Sequence, residues 1–274
     1  MPSPLLRTRY WLGNLRDNTL ARLGRLYALT VAKAAPEGSL VHLARYYQTD
    51  KQDKHFYAEH YQQHFQKFRE RKFNLLEIGV GGHEKPDVGG HSLRMWKAFF
   101  PHAQIYGLDI FDKSALDEPR IKTLKGSQAD EQFLKSIVDQ YGPFDIIIDD
   151  GSHYCQHVLE SFRVLFPLLS DGGIYAIEDL QTSYWENLTG ENWGGSHDLN
   201  APFTSMNFLK SLVDGLNFEE YVDDHYQPTY YDRNIVSIHF YHNLAFLYKG
   251  KNNEGSNFLG NRFWKDERPD PRSK

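Results

Sequence analysis

Hydrophobic and polar positions follow a regular order from residue 73 onward. Short apolar runs that fit buried strands are separated by longer segments in which apolar residues recur at helical spacing. The predicted strands cover residues 73–80, 104–110, 121–124, 144–149 and 173–177, and the predicted helices cover 92–99, 131–141 and 156–169. Strands that alternate with helices in this way indicate right-handed crossovers and a mostly parallel sheet.

Two further apolar runs, residues 235–241 and 244–249, flank His242 and Asn243 and predict an antiparallel hairpin. The pattern as a whole predicts an α/β fold. It is a doubly wound, mostly parallel, Rossmann-like sheet of seven strands with an antiparallel C-terminal hairpin and helices on both faces. Ligands of such sheets bind at the carboxyl ends of the strands.

The predicted domain organisation has three parts. Residues 45–264 form the main domain, and residues 180–234 within it are an aromatic-rich insert between the fifth strand and the hairpin. The last residues, 265–274, are predicted to be a polar tail. Residues 1–44 form a basic N-terminal segment.

The N-terminal segment differs from the rest of the chain in charge. Its first forty residues carry six basic and two acidic side chains, a net +4, so the remainder of a chain with total charge −5 carries −9. Leucines at near-helical spacing predict an amphipathic helix that packs on its own domain or on a partner subunit, which would make the protein a homo-oligomer. A basic helix on a membrane surface is the alternative.

Composition excludes several classes of protein. The chain has 274 residues and a single cysteine, Cys155, so it has no intramolecular disulfide, and we expect it in the reducing cytoplasm. No apolar run approaches the roughly 18 residues of a membrane span. A mildly acidic charge balance argues against a nucleic-acid partner. The 17 Tyr, 18 Phe and 5 Trp fit either a core or a stacking pocket.

Candidate ligand-binding residues follow the first three strands. Gly79 and Gly81 come directly after Glu77 and allow a ligand to approach the backbone closely, although such turns are common. A dinucleotide motif would require a third glycine where Glu84 stands, so a pyrophosphate ligand is disfavoured. Asp109 can accept hydrogen bonds from both hydroxyls of a ribose, or it serves as an ordinary turn residue.

The segment after the third strand, residues 126–130, offers polar groups to an adenine. Gln128 lies in this segment. Asp130 fits either that role or the N-cap of the next helix.

Carboxylates follow the fourth and fifth strands. Asp149 and Asp150 end one strand, Glu178 and Asp179 follow the other, and His153 lies close by in the sequence. If the two strands are neighbours, their ends lie ~5 Å apart. Carboxylates so close would raise one another's pKa values unless a cation lies between them, and oxygen ligands favour Mg, Mn or Ca. Two alternatives remain at this point: Asp149 or Ser152 caps a helix while the acidic pair faces solvent, or His153 and His157 bind a different metal.

Taken together, these motifs resemble the metal-dependent class I S-adenosylmethionine methyltransferases of natural-product biosynthesis, the macrolide-sugar (mycinamicin and macrocin) O-methyltransferases. The similarity covers residues 45–190 well and the hairpin more loosely. The motifs that carry it are EIGVGG, LDIFDKSA, DDGSH, GGIYAIEDL and TSYW, with YQTDK before them.

The resemblance implies a role for each candidate residue. S-adenosylmethionine would be surrounded by Thr49, Lys51, Tyr57, Glu77, Gly79, Gly81, Ser92, Asp109, Gln128 and Asp149. Magnesium, or manganese, would be held by Asp150, Glu178 and Asp179, with His153 as general base. Tyr184 and Trp185 would line the pocket of a small-molecule acceptor that carries a hydroxyl group.

The resulting expectation is a magnesium-assisted O-methyltransferase that acts on a sugar or a glycosylated natural product. A catechol-type acceptor fits the same metal and vicinal hydroxyls. More distant alternatives are a relative with oxidative chemistry and a cofactor-binding module without turnover. An RNA substrate is disfavoured by the acidic charge of the catalytic part.

Overall fold

The computed structural model of the protein describes residues 39–188, 190–223 and 225–256. The polar tail and nearly all of the basic N-terminal segment lie outside these residues, so the predictions made for them stay predictions. The described residues form two compact units, one of residues 39–72 and 90–103 and the other of residues 73–89 and 104–256. No helix in the described ranges is both long and apolar enough to cross a membrane.

The first unit is helical. Its helices are α1 (Leu40–Tyr46), α2 (Ala58–Phe65) and α3 (His91–Phe99). They enclose buried aromatic rings: Tyr61 and Phe65 of α2 lie 5.0 and 5.7 Å from the ring of Trp96 on α3. Part of the aromatic excess is therefore core in this unit.

The second unit contains the sheet. Its strands are β1 (Asn74–Ile78), β2 (Gln104–Asp109), β3 (Ile121–Lys125), β4 (Ile146–Asp149), β5 (Ile174–Ile177), β6 (Ile235–Tyr241) and β7 (Leu244–Lys249). They lie in the order β3-β2-β1-β4-β5-β7-β6. The five predicted strands pair in parallel and the hairpin joins β5 antiparallel, which confirms the predicted sheet. The first strand ends at Ile78, earlier than predicted, because Gly79 has φ +95° and leaves the extended conformation.

The helices of the second unit cover the sheet. They are α4 (Glu131–Tyr141), α5 (Cys155–Leu168), α6 (Ser205–Gly215) and the short α7 (Tyr230–Asn234). Phe162 of α5 is fully buried, and its ring contacts Tyr175 of β5 and Phe208 of α6 at 5.1 and 5.6 Å. Part of the aromatic-rich insert therefore belongs to the core, because α6 packs its apolar side against α5.

Candidate active site

The carboxyl ends of β1, β4 and β5 lie side by side. The register joins the last residue of β1 to Asp149 of β4, and Asp149 to the last residue of β5. The next residue along each strand, namely Gly79, Asp150 and Glu178, is therefore brought to the same edge of the sheet. In the sheet β1 lies between β2 and β4, and the strand order changes direction at this point. Such a switch point is where α/β sheets bind ligands.

Gly79 allows two of these strand ends to approach each other. A Cβ atom at this position would lie 1.9 Å from the carbonyl oxygen of Asp150, a distance at which the backbone would have to move. The amide of Asp150 in turn donates to the carbonyl of Ile78 at 2.9 Å. The first glycine of the motif is thus required by close packing as well as by its positive φ.

Four carboxylates gather at this edge. Ligand atoms of Glu77, Asp150 and Glu178 lie within 4.8 Å of one another, and those of Asp150, His153 and Asp179 form a second such group. Glu77 and Glu178 are buried, so the interpretation that the acidic pair merely faces solvent is wrong for Glu178. Because like charges this close repel each other, the donor set fits a hard divalent cation such as Mg²⁺ or Mn²⁺. The sequence did not indicate that Glu77 lies within reach of this set.

His153 lies against the carboxylates. Its Nε2 atom is 3.6 Å from Oδ2 of Asp179 and 4.0 Å from Oδ1 of Asp150. Both His153 and Asp179 have left-handed backbone, with φ of +59° and +53°. Such a conformation is strained in non-glycine residues and is common at functional sites. It turns both side chains towards Asp150.

Asp149 ends β4 with its carboxylate in the interior. Ser161 donates to Oδ2 at 2.5 Å, Gln128 donates to Oδ1 at 3.1 Å, and the hydroxyl of Tyr175 donates to Oδ2 at 3.4 Å. Burial raises the pKa of Asp149 to about 6, against the lowering effect of the Ser161 hydrogen bond, the His153 charge and the Gln128 amide. The Asp149 carboxylate therefore fixes Gln128, and its own contact with a cofactor stays a prediction.

Gln128 continues this network towards the His153 loop. Its Oε1 atom accepts a hydrogen bond from the amide of Ser152 at 2.7 Å, and the Ser152 hydroxyl pairs with Nδ1 of His157 at 2.9 Å. His157 is in neither group of possible metal ligands among the described residues. The helix α5 has Tyr154 as its N-cap, so the alternative in which Asp149 or Ser152 caps it is wrong.

Asp109 holds the glycine-rich segment to the end of β2. Its Oδ2 atom accepts a hydrogen bond from the amide of Val80 at 3.0 Å, and Oδ1 accepts one from Phe111 at 2.9 Å. Each carboxylate oxygen can accept a second hydrogen bond, so these contacts are compatible with the predicted ribose contact. Asp130 accepts from the amide of Phe133 at 3.0 Å and caps α4, which confirms the N-cap alternative for that residue.

Aromatic rings follow His153. The ring of Tyr154 stacks on Trp193 with centroids 5.1 Å apart, and Trp185 contacts Trp193 edge-on at 6.3 Å. The hydroxyl of Tyr154 donates to Glu191 at 3.1 Å. Of the two predicted acceptor residues, Trp185 therefore joins this aromatic group, while Tyr184 is 42% exposed. Tyr154 was not among the residues predicted for the site, and its position next to His153 was the available signal.

Four of the predicted cofactor residues belong to the helical unit. Thr49, Lys51 and Tyr57 are buried there, and Ser92 lies in the first turn of α3. The hydroxyl of Thr49 contacts the sulfur of Met95 at 3.9 Å. Their assignment to the cofactor stays a prediction.

The chain is similar in sequence to known O-methyltransferases that act on sugar groups. No protein-family model matches the chain. Mycinamicin VI 2''-O-methyltransferase of Micromonospora griseorubida is 50% identical over 202 residues, which are 73% of this chain and 50% of that protein. A tetracenomycin-C rhamnosyl 2'-O-methyltransferase of Streptomyces olivaceus is 46% identical over 231 residues, 83% of this chain and 58% of that protein. The chain thus spans about half the length of the curated relatives it matches.

A solved structure shows the same fold. The MycE methyltransferase of the mycinamycin pathway, in complex with Mg and SAH, has a TM-score of 0.77 and 47% identity, and the match covers 84% of this chain and 59% of that one. A further MycE structure that also contains mycinamycin VI has a TM-score of 0.75 and 48% identity, over 82% of this chain and 57% of that one.

Proposed function

The chain belongs with the macrolide- and rhamnoside-sugar O-methyltransferases, its homologues at 38–50% identity, and from this premise we propose that it methylates a hydroxyl of a glycosylated natural product. S-adenosylmethionine is the proposed methyl donor and Mg²⁺ the proposed metal. The MycE structures, which contain Mg and SAH, the product left after methyl transfer, support both. The observation that carries the proposal is the gathering of Asp150, Glu178, Asp179 and His153 at the switch point of the sheet.

Asp150, Glu178 and Asp179 are the proposed ligands of the metal. Their oxygen atoms suit a hard cation, and the buried Glu77 lies within reach of the same set. A divalent ion bound there supplies Lewis-acid stabilisation of negative charge on the acceptor oxygen.

His153 is the proposed general base. Because a sugar hydroxyl ionises far above neutral pH, its oxygen attacks well only when its proton is removed during the reaction. An imidazole exchanges protons near neutral pH, and His153 accepts this proton. The new C–O bond forms as the C–S bond to the methyl group breaks, and the sulfur keeps the electron pair as S-adenosylhomocysteine.

The glycine-rich edge of the sheet is the proposed binding site of the donor. Gly79 and Gly81 bring backbone close to it, Asp109 binds the ribose, and Gln128 contacts the adenine, with Asp149 behind it. Glu77 and four residues of the helical unit complete the proposed set: Thr49, Lys51, Tyr57 and Ser92.

Aromatic side chains are the proposed acceptor platform. Tyr184 and Trp185 were predicted from the sequence, and the stacked pair of Tyr154 and Trp193 adds a flat surface directly after His153. The face of a sugar ring carries C–H groups that pack well on such a surface. We further propose that the protein is cytoplasmic, which the single cysteine supports, and that it forms a homo-oligomer, which the amphipathic pattern of the basic N-terminal segment supports.

The proposal is tested by incubating the full chain with methyl-labelled S-adenosylmethionine, Mg²⁺ and a panel of glycosylated metabolites, free sugars and catechols. Mass spectrometry then locates the label. Label on a sugar hydroxyl is the expected result, whereas label on a catechol alone supports the alternative acceptor. Binding of the donor with no labelled product from any acceptor would instead favour a module without turnover.

A further inference from the structure

Lys113 is a buried lysine whose ammonium group is enclosed by backbone carbonyls. The side chain is 1% exposed, and its Nζ atom donates to the carbonyl oxygens of His83, Lys85 and Val88 at 2.6, 2.8 and 3.1 Å. A lysine ammonium has three N–H donors, so all three are used. Burial of a charge is tolerated when it is fully hydrogen-bonded in this way.

The three carbonyls belong to residues 82–89, the segment that follows the glycine motif. This segment folds back on the motif, because a Cβ atom at Gly89 would lie 2.4 Å from the carbonyl oxygen of Gly81 and 2.6 Å from that of Val80. At the start of the segment, a Cβ atom at Gly82 would lie 2.0 Å from the carbonyl oxygen of Val88. Lys113 therefore joins three carbonyls of one loop, and this loop packs directly against Val80 and Gly81.

The end of β2 holds the glycine motif at two points. Asp109 binds the amide of Val80, and Lys113, four residues later, binds the loop that returns to the same place. The two side chains have opposite charges and bind different groups. The Asp109 carboxylate accepts a hydrogen bond from an amide of the motif, and the Lys113 ammonium donates hydrogen bonds to carbonyls of the loop. Together they leave the backbone at Gly81 little freedom to change direction.

We infer that Lys113 is a positioning residue for the methyl donor: its ammonium holds residues 82–89 closed so that the Gly79–Gly81 backbone is preformed for S-adenosylmethionine. This inference rests on the proposed function. It assigns Lys113 no contact with the donor and no part in proton transfer. Loss of the tie is therefore expected to weaken donor binding and to leave metal binding and the rate at saturating donor unchanged.

The test compares Lys113→Met with a matched lysine. Lys249 is also buried, and its Nζ atom donates to the carbonyls of Pro167 and Leu169. It is the last residue of β7 and lies beside the amino-terminal end of β5, at the opposite end of the sheet from the glycine motif. Isothermal titration of the full chain measures the Kd for S-adenosylmethionine. We expect Lys113→Met to raise this Kd at least about tenfold, equivalent to ~1.4 kcal/mol. Lys249→Met should lower the unfolding temperature with little change in Kd.

Chemical rescue separates loop positioning from a general folding defect. In Lys113→Ala the side chain is absent but the carbonyl cage remains, and added methylammonium offers donors of the same kind. The Kd of Lys113→Ala should fall towards the wild-type value as methylammonium is added, while tetramethylammonium, which has no N–H group, should have no effect. The Kd of the wild type should respond to neither ion.

Each outcome has a distinct meaning. A wild-type chain that does not bind S-adenosylmethionine overturns the proposed function itself. Normal donor binding by wild type and by folded Lys113→Met overturns only the positioning role. Weak binding by Lys113→Ala that methylammonium fails to improve also contradicts it, because the ammonium would then not be the group that matters.

Discussion

The imidazole of His153 lies 3.6 Å from the carboxylate of Asp179, although the two residues follow different strands. Both have a left-handed backbone, and Asp150 is within reach of both. The proposed base and a neighbouring proposed metal ligand thus both lie at positions with left-handed backbone. The arrangement gives separate expectations for the base and for the ligands.

His153→Asn is expected to reduce kcat about 10²- to 10⁴-fold, since a general base contributes on that scale. Asparagine tolerates the left-handed backbone of this position, so the fold should be kept. The Kd for S-adenosylmethionine should stay at the wild-type value. Steady-state kinetics and calorimetry measure the two effects. His102→Asn, at an exposed position, is the control, and an unchanged kcat in His153→Asn would rule out the proposed base.

Asp150→Asn is expected to weaken metal binding more than Asp179→Asn, because Asp150 belongs to both groups of possible ligands. We expect the Kd for Mn²⁺ to rise at least about tenfold, the scale on which even outer partners of a metal site act. Calorimetry with Mn²⁺ and the activity after EDTA treatment are the measurements. The exposed Asp171→Asn serves as control. Activity that survives EDTA would point to a metal-free transferase, whereas equal Mn²⁺ affinity in all variants would show that Asp150 is not a ligand of the metal.

Asp149→Asn is expected to change how the stability of the metal-free protein depends on pH. Burial raises the pKa of Asp149 from 3.8 to about 6, so between these values the folded state binds the proton more tightly than the unfolded state does. Wild-type stability therefore falls relative to the variant as the pH rises from about 4 to about 6, by an amount on the order of 3 kcal/mol.

Chemical denaturation of both proteins at several pH values, in the presence of EDTA, measures this difference. Asparagine can keep the contacts to Ser161 and Gln128, so the variant should fold. A difference in stability that is the same at pH 4 and pH 7 would show that the Asp149 carboxyl does not titrate in this window.

Gly79→Ala is expected to destabilise the fold more than Gly172→Ala. Both glycines have positive φ, +95° and +79°, but a Cβ atom meets the Asp150 carbonyl at Gly79 and nothing within 4 Å at Gly172. The conformational penalty is roughly 1–2 kcal/mol at either site, and Gly79→Ala adds the displacement of Asp150. Thermal unfolding measures both variants. Equal losses at the two sites would mean that the close approach at Gly79 is easily relieved.

Trp193→Ala is expected to raise the KM of the acceptor about tenfold, the upper range for a lost aromatic contact. The Kd for S-adenosylmethionine should not change, because the ring stacks on Tyr154 rather than on the glycine motif. Kinetics at saturating donor measure this effect. Tyr230→Ala, a half-exposed aromatic residue on α7, is the control. If both variants keep the wild-type KM, the platform lies elsewhere.

The order and the type of the elements in the sheet could be predicted from the apolar pattern alone. The period and the length of the apolar runs are local properties, and all seven strands, including the two of the hairpin, were predicted within a few residues of their observed bounds. The residues after each strand could also be named, because the carboxyl end of a parallel strand is a ligand position in any such fold.

Which strand ends meet, and where their side chains point, is seen only in the folded chain. From the sequence, the cluster of carboxylates could be predicted only on the assumption that β4 and β5 are neighbours, because an apolar run does not show which strand it pairs with. The sheet order shows that they are neighbours. The inward turn of the Asp149 carboxylate and the left-handed backbone at His153 and Asp179 depend on contacts distant in sequence. Lys113 is the clearest case: nothing nearby in the chain distinguishes it from a solvated lysine until the loop of residues 82–89 folds around its ammonium group.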